Sequence, residues 1–462
     1  MKIPLSFGNY AGRNSTDAQE LVNMMAELDQ QGGKEQVYLV GTPGLKEWKI
    51  VESGKETRGG YILDTVVLAV VGTTLYSINR SSKVQTNKGT VAGSGPVQFT
   101  ENPTQIMITT SALGYIYTKT SGALTQITDT DFPVPKSATF QDGYGIVVQT
   151  GTGKFYISGL NNFATWDPLE FTTAEALPDN LVAALSDHQD MIAFGSESIE
   201  NYINSGNVDF PFTRRAGAIL EIGCSAPLSP AKGENVVFWV DNHGLVRKME
   251  GFTPVIISTR QIEYQISLQD YSQAVGNCYT QEGHTFYVLM MPTLTLVYDV
   301  ATQQWHKRAS YPDNGKWRGT WIAQRDDFVL AGDYENGTIY ELDLDTYTDN
   351  SQPIHWVATT QEIHHDRKRV AHRALELHVE SGVGLISGQG EEALMWMSYS
   401  DDQGRTYGNE RIRSMGKIGE YIKRIIWRTL GIPRSRIYKF EGTDPVKRVL
   451  ISAHVDGEAF GV

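Results

Sequence analysis

The sequence predicts an all-β protein: a β-propeller of about seven blades, or six if one repeat is an insertion, followed by a C-terminal β-sandwich domain. Three observations carry this. Residues 282–308, EGHTFYVLMMPTLTLVYDVATQQWHKR, hold an apolar strand at 285–290, a turn opened by Pro292, a second strand at 294–299, and Trp305 on a third. Short runs of β-branched and aromatic residues bounded by turn formers read as strands, so this stretch is a β-meander. The same pattern recurs six more times, with an anchor at Tyr76, Tyr117, Tyr156, Tyr202, Arg247, Tyr298 and Tyr340, 39 to 51 residues apart. Such a period, with four short strands per unit, marks propeller blades, because one blade cannot bury its own faces and must stack on its neighbours. After Asp349 the period stops, yet period-two alternation continues, as in Leu375, Leu377, Val379 and Met395, Met397, Tyr399.

Taken in order, residues 1–50 form an N-terminal arm expected to pack on the C-terminal domain, 51–349 the propeller, and 350–462 the sandwich. Within the arm, TPG at 42–44 is a turn. Residues 17–28, DAQELVNMMAEL, have the spacing of a short amphipathic helix capped by Asp17, a local reading that is marginal without tertiary contacts. Each propeller unit also has a weaker strand upstream of its apolar run. The fifth of these, PLSPAK at 227–232, contains two prolines, which cannot donate to a ladder and place it at an edge or in a loop. The sandwich is expected to use about six strands, with the Gly-rich stretch 381–393 as a loop between them.

Bulk properties exclude several function classes. The chain has 462 residues and a net charge of −13. Residues 1–362 carry about 24 Lys and Arg against 40 Asp and Glu, and 363–462 carry 16 against 13. An acidic body does not grip DNA by counterion release, which needs clustered cations; any DNA it meets is expected to slide past. The two cysteines, Cys224 and Cys278, make neither a disulfide framework nor a zinc site and are expected as buried thiols. No apolar run is long enough to span a bilayer and the first residues lack a signal-peptide core, so folding in a reducing cytoplasm is expected, with no membrane partner. No G-x-S-x-G, H-E-x-x-H, P-loop or G-x-G-x-x-G occurs. His364, His365 and Asp366 are adjacent on the chain, where alternating side chains cannot share one ion, so neither metal nor cofactor is expected. Asp299 reads as a turn-starting acid, and Trp305 as an inter-blade packing residue.

Two local signals lie in the C-terminal unit. Ser400, Asp402, Gly404, Thr406 and Tyr407 fit the Asp-box pattern S-x-D-x-G-x-T-aromatic, similar to that of sialidase propellers. The chemistry is that of a hairpin: a carboxylate accepting backbone N–H groups, a glycine free to take positive φ, and an aromatic clamped across the strands. A sialidase would repeat the box in its blades and add an arginine cluster, so an Asp-box glycan-binding or glycan-cleaving propeller is the alternative reading, with a kelch-like adaptor behind it. Arg411, Arg413, Lys417, Lys423, Arg424 and Arg428 place cations on the outer positions of the last strands. They are either a solvated face or a candidate interface with an acidic partner, including a like subunit's propeller.

Gln19, Asn23 and Glu27 followed by G-T-P-G-L at 41–45, then SIENYINSGN at 198–207 and GLVRKMEG at 244–251, resemble the packaged-DNA stabilisation proteins, or tail hubs, of short-tailed bacteriophages. The run MSYSDDQGRTYGNERIRSMGKIGEYIKRIIWRTLG at 397–431 is similar to that family's C-terminal strands. The resemblance implies a structural virion protein with no catalytic residues: a homohexamer ring attached below the portal and its adaptor (head-completion) protein, closing the channel to retain packaged DNA. It implies contacts with the tail needle and with a tailspike or tail fibre, passage of dsDNA without specific binding, and a place in the phage tail after assembly in the host cytoplasm. It further implies that 17–28 is extended and docked on the sandwich, against the local helix reading.

Overall fold

Each repeat folds into a four-stranded antiparallel meander, and seven such units are present in this computed structural model, which describes residues 2–5, 19–29, 36–174, 176–366 and 368–459. The blades span 57–90, 98–126, 135–173, 181–220, 231–256, 275–308 and 319–343. The seventh contributes three strands of its own, and its fourth is Gly44–Glu52, paired antiparallel to Gly337–Asp343. The chain therefore enters the propeller at Gly44, earlier than the boundary at 51 that the repeat pattern suggests. The repeat scan could not see this, because the closing strand lies almost 300 residues from its own blade.

Every anchor residue falls on the third strand of its blade. Three of the tyrosines donate their hydroxyl to a carboxylate: Tyr76 to Glu52 at 3.1 Å, Tyr202 to Glu200 at 3.0 Å and Tyr340 to Asp333 at 2.6 Å. In the fifth blade the Arg247 guanidinium takes over, donating to buried Asp241 at 2.6 Å. The polar link survives while the residue type changes. The prolines at 227 and 230 do shorten that blade's inner strand, which is only Ala231–Gly233. A helix absent from the sequence reading, Arg260–Ser267, follows the fifth blade; Thr259 caps it by accepting from the Ile262 N–H, and Ile262 and Ile266 enter the core. It explains the longest repeat spacing. Trp305 is buried in the same cluster and donates its indole N–H to Ile257 O at 2.9 Å, joining the fifth and sixth blades.

Residues 21–28 are extended, not helical. Leu21–Val22 pairs with Trp356–Thr359 and touches Gln304–Arg308 in parallel, and Met24–Leu28 pairs with Val37–Gly41. Met24, Met25 and Ala26 are all buried, so both faces of this strand are covered, and its backbone groups are satisfied by neighbouring strands. Tertiary pairing overrides a weak local preference. Asp17, the expected cap, lies outside the described residues.

The sandwich packs two sheets over a core that includes Leu375, Leu377, Met395, Met397, Trp427 and Phe440. One sheet runs Met24–Leu28, Val37–Gly41, Val449–Ala459, Val370–Val379, Ile425–Arg428, with Lys2–Ile3 added on Val449–Ala459. The other continues directly from the sixth blade through Leu21–Val22 to Trp356–Thr359, Ser435–Gly442, Glu392–Ser400 and Arg411–Lys417. The last of these is a strand beyond the six predicted. Among the described residues no helix is long and apolar enough to cross a membrane.

Candidate functional site

The polar residues that the sequence singled out gather at the junction between propeller and sandwich, beside which Gly404 and Tyr407 of the Asp-box hairpin line a cleft with Leu294 and Lys307 of the sixth blade, and at the edge strands of the sandwich. At the junction, Asn23 is buried with φ at 52°. Its side-chain amide donates to Ala309 O at 2.9 Å and His355 O at 2.8 Å, and its oxygen accepts from the Ala309 N–H at 3.0 Å. One side chain thereby ties the arm to the end of the sixth blade and to the start of the sandwich. The 42–44 turn is held by two buried arginines from different domains: Arg308 donates to Pro43 O and Arg448 to Thr42 O at 3.4 Å. Arg308 stacks 4.1 Å over the Trp317 ring. Buried Asp349 accepts from the Leu45 N–H at 3.1 Å. Burial raises the Asp349 carboxyl and lowers Arg448 to about 10. A Cβ on Gly44 would sit 2.2 Å from Thr346 O, so the chain's return past residue 346 requires glycine there.

Glu27 reaches from the arm to His284 of the sixth blade, at 3.1 Å from Nε2, while Asp299 accepts from Nδ1 at 2.8 Å. The Asp299 hydrogen bond, outweighing desolvation, raises His284 to about 9. Burial pushes Asp299 up, but the bonds from His284 and Thr302 prevail and hold it below the usual carboxylate range. Asp299 does open its turn, accepting from the Ala301 N–H at 3.0 Å. Its second role is to orient a charged histidine 15 positions away, and the cluster it builds with Glu27 was not visible in the sequence, because Glu27 is 257 positions from His284. The neighbouring His306 is fully enclosed, and burial lowers it to about 3, so it is neutral.

The Asp-box residues make a self-contained hairpin. Ser400 Oγ donates to Asp402 at 2.6 Å and accepts from the Gly404 N–H at 2.8 Å. Asp402 also accepts from the Arg405 and Thr406 N–H groups at 3.1 and 2.9 Å and from the Thr406 hydroxyl at 2.6 Å. The Ser400 bond, with those from Thr406, holds the carboxyl well below the usual range. A carboxylate so occupied makes a poor proton donor or base at neutral pH. Gly404 has φ +83°, and the Tyr407 ring lies 4.5 Å from the Lys439 ammonium on the adjacent strand.

The six cations of the last strands divide by role. Arg413 donates to Ile426 O at 2.9 Å, and Arg411 reaches Arg428 O and Thr429 O at 3.4 and 3.5 Å. Both strands involved are sheet edges, so these guanidinium groups cover one sheet's open carbonyls from the other. Lys417, Lys423, Arg424 and Arg428 are exposed. The first three pair with Glu391 at 3.4 Å, Glu420 at 3.0 Å and Glu376 at 2.7 Å. Pairs this exposed are weak and exchangeable.

Elsewhere, both cysteines are free thiols; Cys224 is buried as expected, whereas Cys278 is half-buried, and desolvation pushes Cys224 up to about 11 and Cys278 higher still. Among the described residues no three His, Cys, Asp or Glu side chains converge as a metal site, and His365 sits in a turn after the strand Ile363–His364. The propeller axis holds a cavity of about 600 Å³ lined by the inner strands, including Tyr61, Gln98, Thr139, Asn277 and Gln324. That volume holds about 20 waters, far too little for a duplex.

Solved structures similar to the chain include PorZ, described as an essential bacterial surface component of the type-IX secretion system of Porphyromonas gingivalis, at 10% identity and TM-score 0.39. That match covers 66% of this chain and 38% of PorZ, so the chain spans well under half of it. The N-terminal domain of Nup159 is similar at 9% identity and TM-score 0.42, covering 68% and 97% of the two chains; YCF48 bound to D1 peptide at 10% and 0.42, covering 66% and 98%. No curated protein matches by sequence. The bacteriophage P22 Gp10 β-propeller model matches residues 1–347 and the P22 Gp10 β-sandwich model residues 355–458, and the chain belongs to this family of tail-hub, packaged-DNA stabilisation proteins of short-tailed phages.

Proposed function

We propose that this phage tail structural protein works as a hexameric hub. Six copies attach below the portal-adaptor complex, close the DNA channel, and carry the needle and the tailspikes or fibres. The observation that carries the reading, beside family membership, is mechanical. The first propeller strand closes the last blade, and the arm is woven into both sandwich sheets. The disc has no free end from which to unravel, and its edges are protected, as a wall under the pressure of packed DNA requires. The propeller axis is too small for a duplex, so DNA runs through the lumen of the ring.

Charge supports the same arrangement. Residues 44–349 carry 34 acids against 21 Lys and Arg, and residues 355–458 carry 14 against 16. An acidic lumen repels phosphates and lets the genome slide, while the more basic domain faces the adaptor. Mixing the purified protein with adaptor-bearing portal and weighing the complex by native mass spectrometry tests the reading. A hexameric increment is expected; absence of binding by folded protein overturns it. Lysines placed on lumen-facing positions should slow DNA release, and unchanged ejection kinetics would count against the acidic channel.

A further inference from the structure

The five most exposed large apolar side chains fall at two places. One is the far edge of the sandwich, where Ile386, Tyr421 and Ile422 are 87%, 75% and 94% exposed, with Ile412 and Ile418 beside them. These belong to two touching loops and an edge strand: the Gly419 N–H donates to Gly382 O at 3.2 Å, and the Tyr421 ring covers Gly382. The other is the outer rim of the third and fourth blades. Val208 and Leu169 are 97% and 82% exposed, and Leu160 rests on the turn at Gly143. Leu160 and Val208 sit on equivalent turns, each joining the third and fourth strands of its blade. Clustered exposed apolar groups on a folded protein mark contact surfaces.

The two patches differ in charge. The six cations between residues 411 and 428 stand with three acids, Glu376, Glu391 and Glu420, and leave the edge net positive. Around the propeller patch stand Asp142, Asp167 and Asp209, all exposed, with half-buried Glu170. They also lie far apart. The sandwich grows from the sixth and seventh blades, and Arg411–Lys417 is the last strand of the sheet leaving the sixth. In a ring of seven, the third blade is opposite that attachment. One molecule cannot bring its own patches together.

We infer that the basic apolar edge of the sandwich docks on the acidic apolar rim of blades three and four of a second copy. Two different patches joined head to tail generate a ring if the rotation closes. Opposite charge fixes the register, and the apolar groups supply the affinity. This deepens the ring reading above and rests on it.

Two single variants of the full chain, Leu169→Cys and Ile422→Cys, test the contact under mild oxidation, with wild-type chain oxidised in parallel to set the background from Cys224 and Cys278. The mixture should give a disulfide-linked dimer that neither variant gives alone, and the double variant a ladder ending in a closed species. Lys423→Glu with Arg424→Glu on the Ile422→Cys chain should lower the mixed yield roughly fivefold, and Asp167→Lys with Glu170→Lys on the other chain should restore it. A mixed yield no higher than that of the separate variants, with wild-type melting behaviour retained, overturns the inference. If rings nevertheless form on the adaptor, that result leaves the hub reading standing and assigns the ring to other surfaces. Cross-linking without adaptor binding supports the contact and counts against the hub.

Discussion

The propeller and the sandwich are both all-β, but they are built from opposite kinds of contact. Six blades are local meanders, each made from a few dozen consecutive residues. The sandwich is a composite in which Lys2–Ile3, Leu21–Val22 and Val37–Gly41 pair with strands more than 300 positions away. The seventh blade belongs with the sandwich in this respect. Local meanders repeat and can be found by period, whereas long-range pairing leaves no periodic trace. The difference teaches where the molecule is vulnerable: a fault in one blade reaches the neighbours that share its core, while a fault in residues 19–45 reaches both domains.

Gly44→Val should break this division most severely. Its side chain collides with Thr346 O and Thr348 O, separating the closing strand from the linker, and a loss of more than about 3 kcal/mol is expected in denaturant unfolding. Both domains should melt together; a melt confined to the propeller would show that closure and junction are independent. Asn23→Ala removes three hydrogen bonds at one buried point and should cost about 2–4 kcal/mol. Hydrogen exchange should rise in residues 21–28 and 356–359 and stay unchanged in the second and third blades. Equal acceleration there would erase the contrast between local and composite regions.

His284 sharpens the comparison through pH. Its folded value of about 9 lies above its ordinary 6.5, so its contribution is complete below about pH 6.5 and is lost as pH rises through about 9. Wild-type stability should fall by about 1–3 kcal/mol across that window, and His284→Gln should flatten the slope. An unchanged slope would mean that the Glu27–His284–Asp299 cluster does not hold the arm. Gly404→Ala, in the Asp-box hairpin at φ +83°, should cost only about 1 kcal/mol and leave propeller unfolding untouched.

Much of the fold was written in the sequence, and particular residues show why the rest was not. The anchor tyrosines located the third strand of every blade, and even Arg247 kept its place because Asp241 preserves the polar link. Residues 17–28 misled as an isolated segment, since Leu21, Met24, Met25 and Leu28 are spaced for a helix, while 24–28 pairs with 37–41 and 21–22 with a strand from the other end of the chain. The motif residues Asn23, Glu27 and 41–45, which carried the family resemblance, turn out to be the junction itself. Nothing local could reveal that, because each partner is 250 or more positions away. The exposed rim at Leu169 and Val208 left no sequence signal either, since a solitary apolar residue on an outer strand or in a turn is ordinary until its neighbours in space are known.

The closing of the seventh blade by Gly44–Glu52 also sets a schedule for synthesis. That strand leaves the ribosome early, yet its partner, Gly337–Asp343, follows only after nearly 300 more residues, about 15–60 s later at ordinary elongation rates. During the interval it is an unpaired strand in a crowded cell. Lys46, Glu47 and Lys49 within it are the kind of charged gatekeepers that keep a waiting strand from joining the wrong neighbour. The nascent chain therefore completes its disc late and in one step, and truncated products lacking residues 337–343 should be captured by chaperones rather than accumulate as smaller propellers.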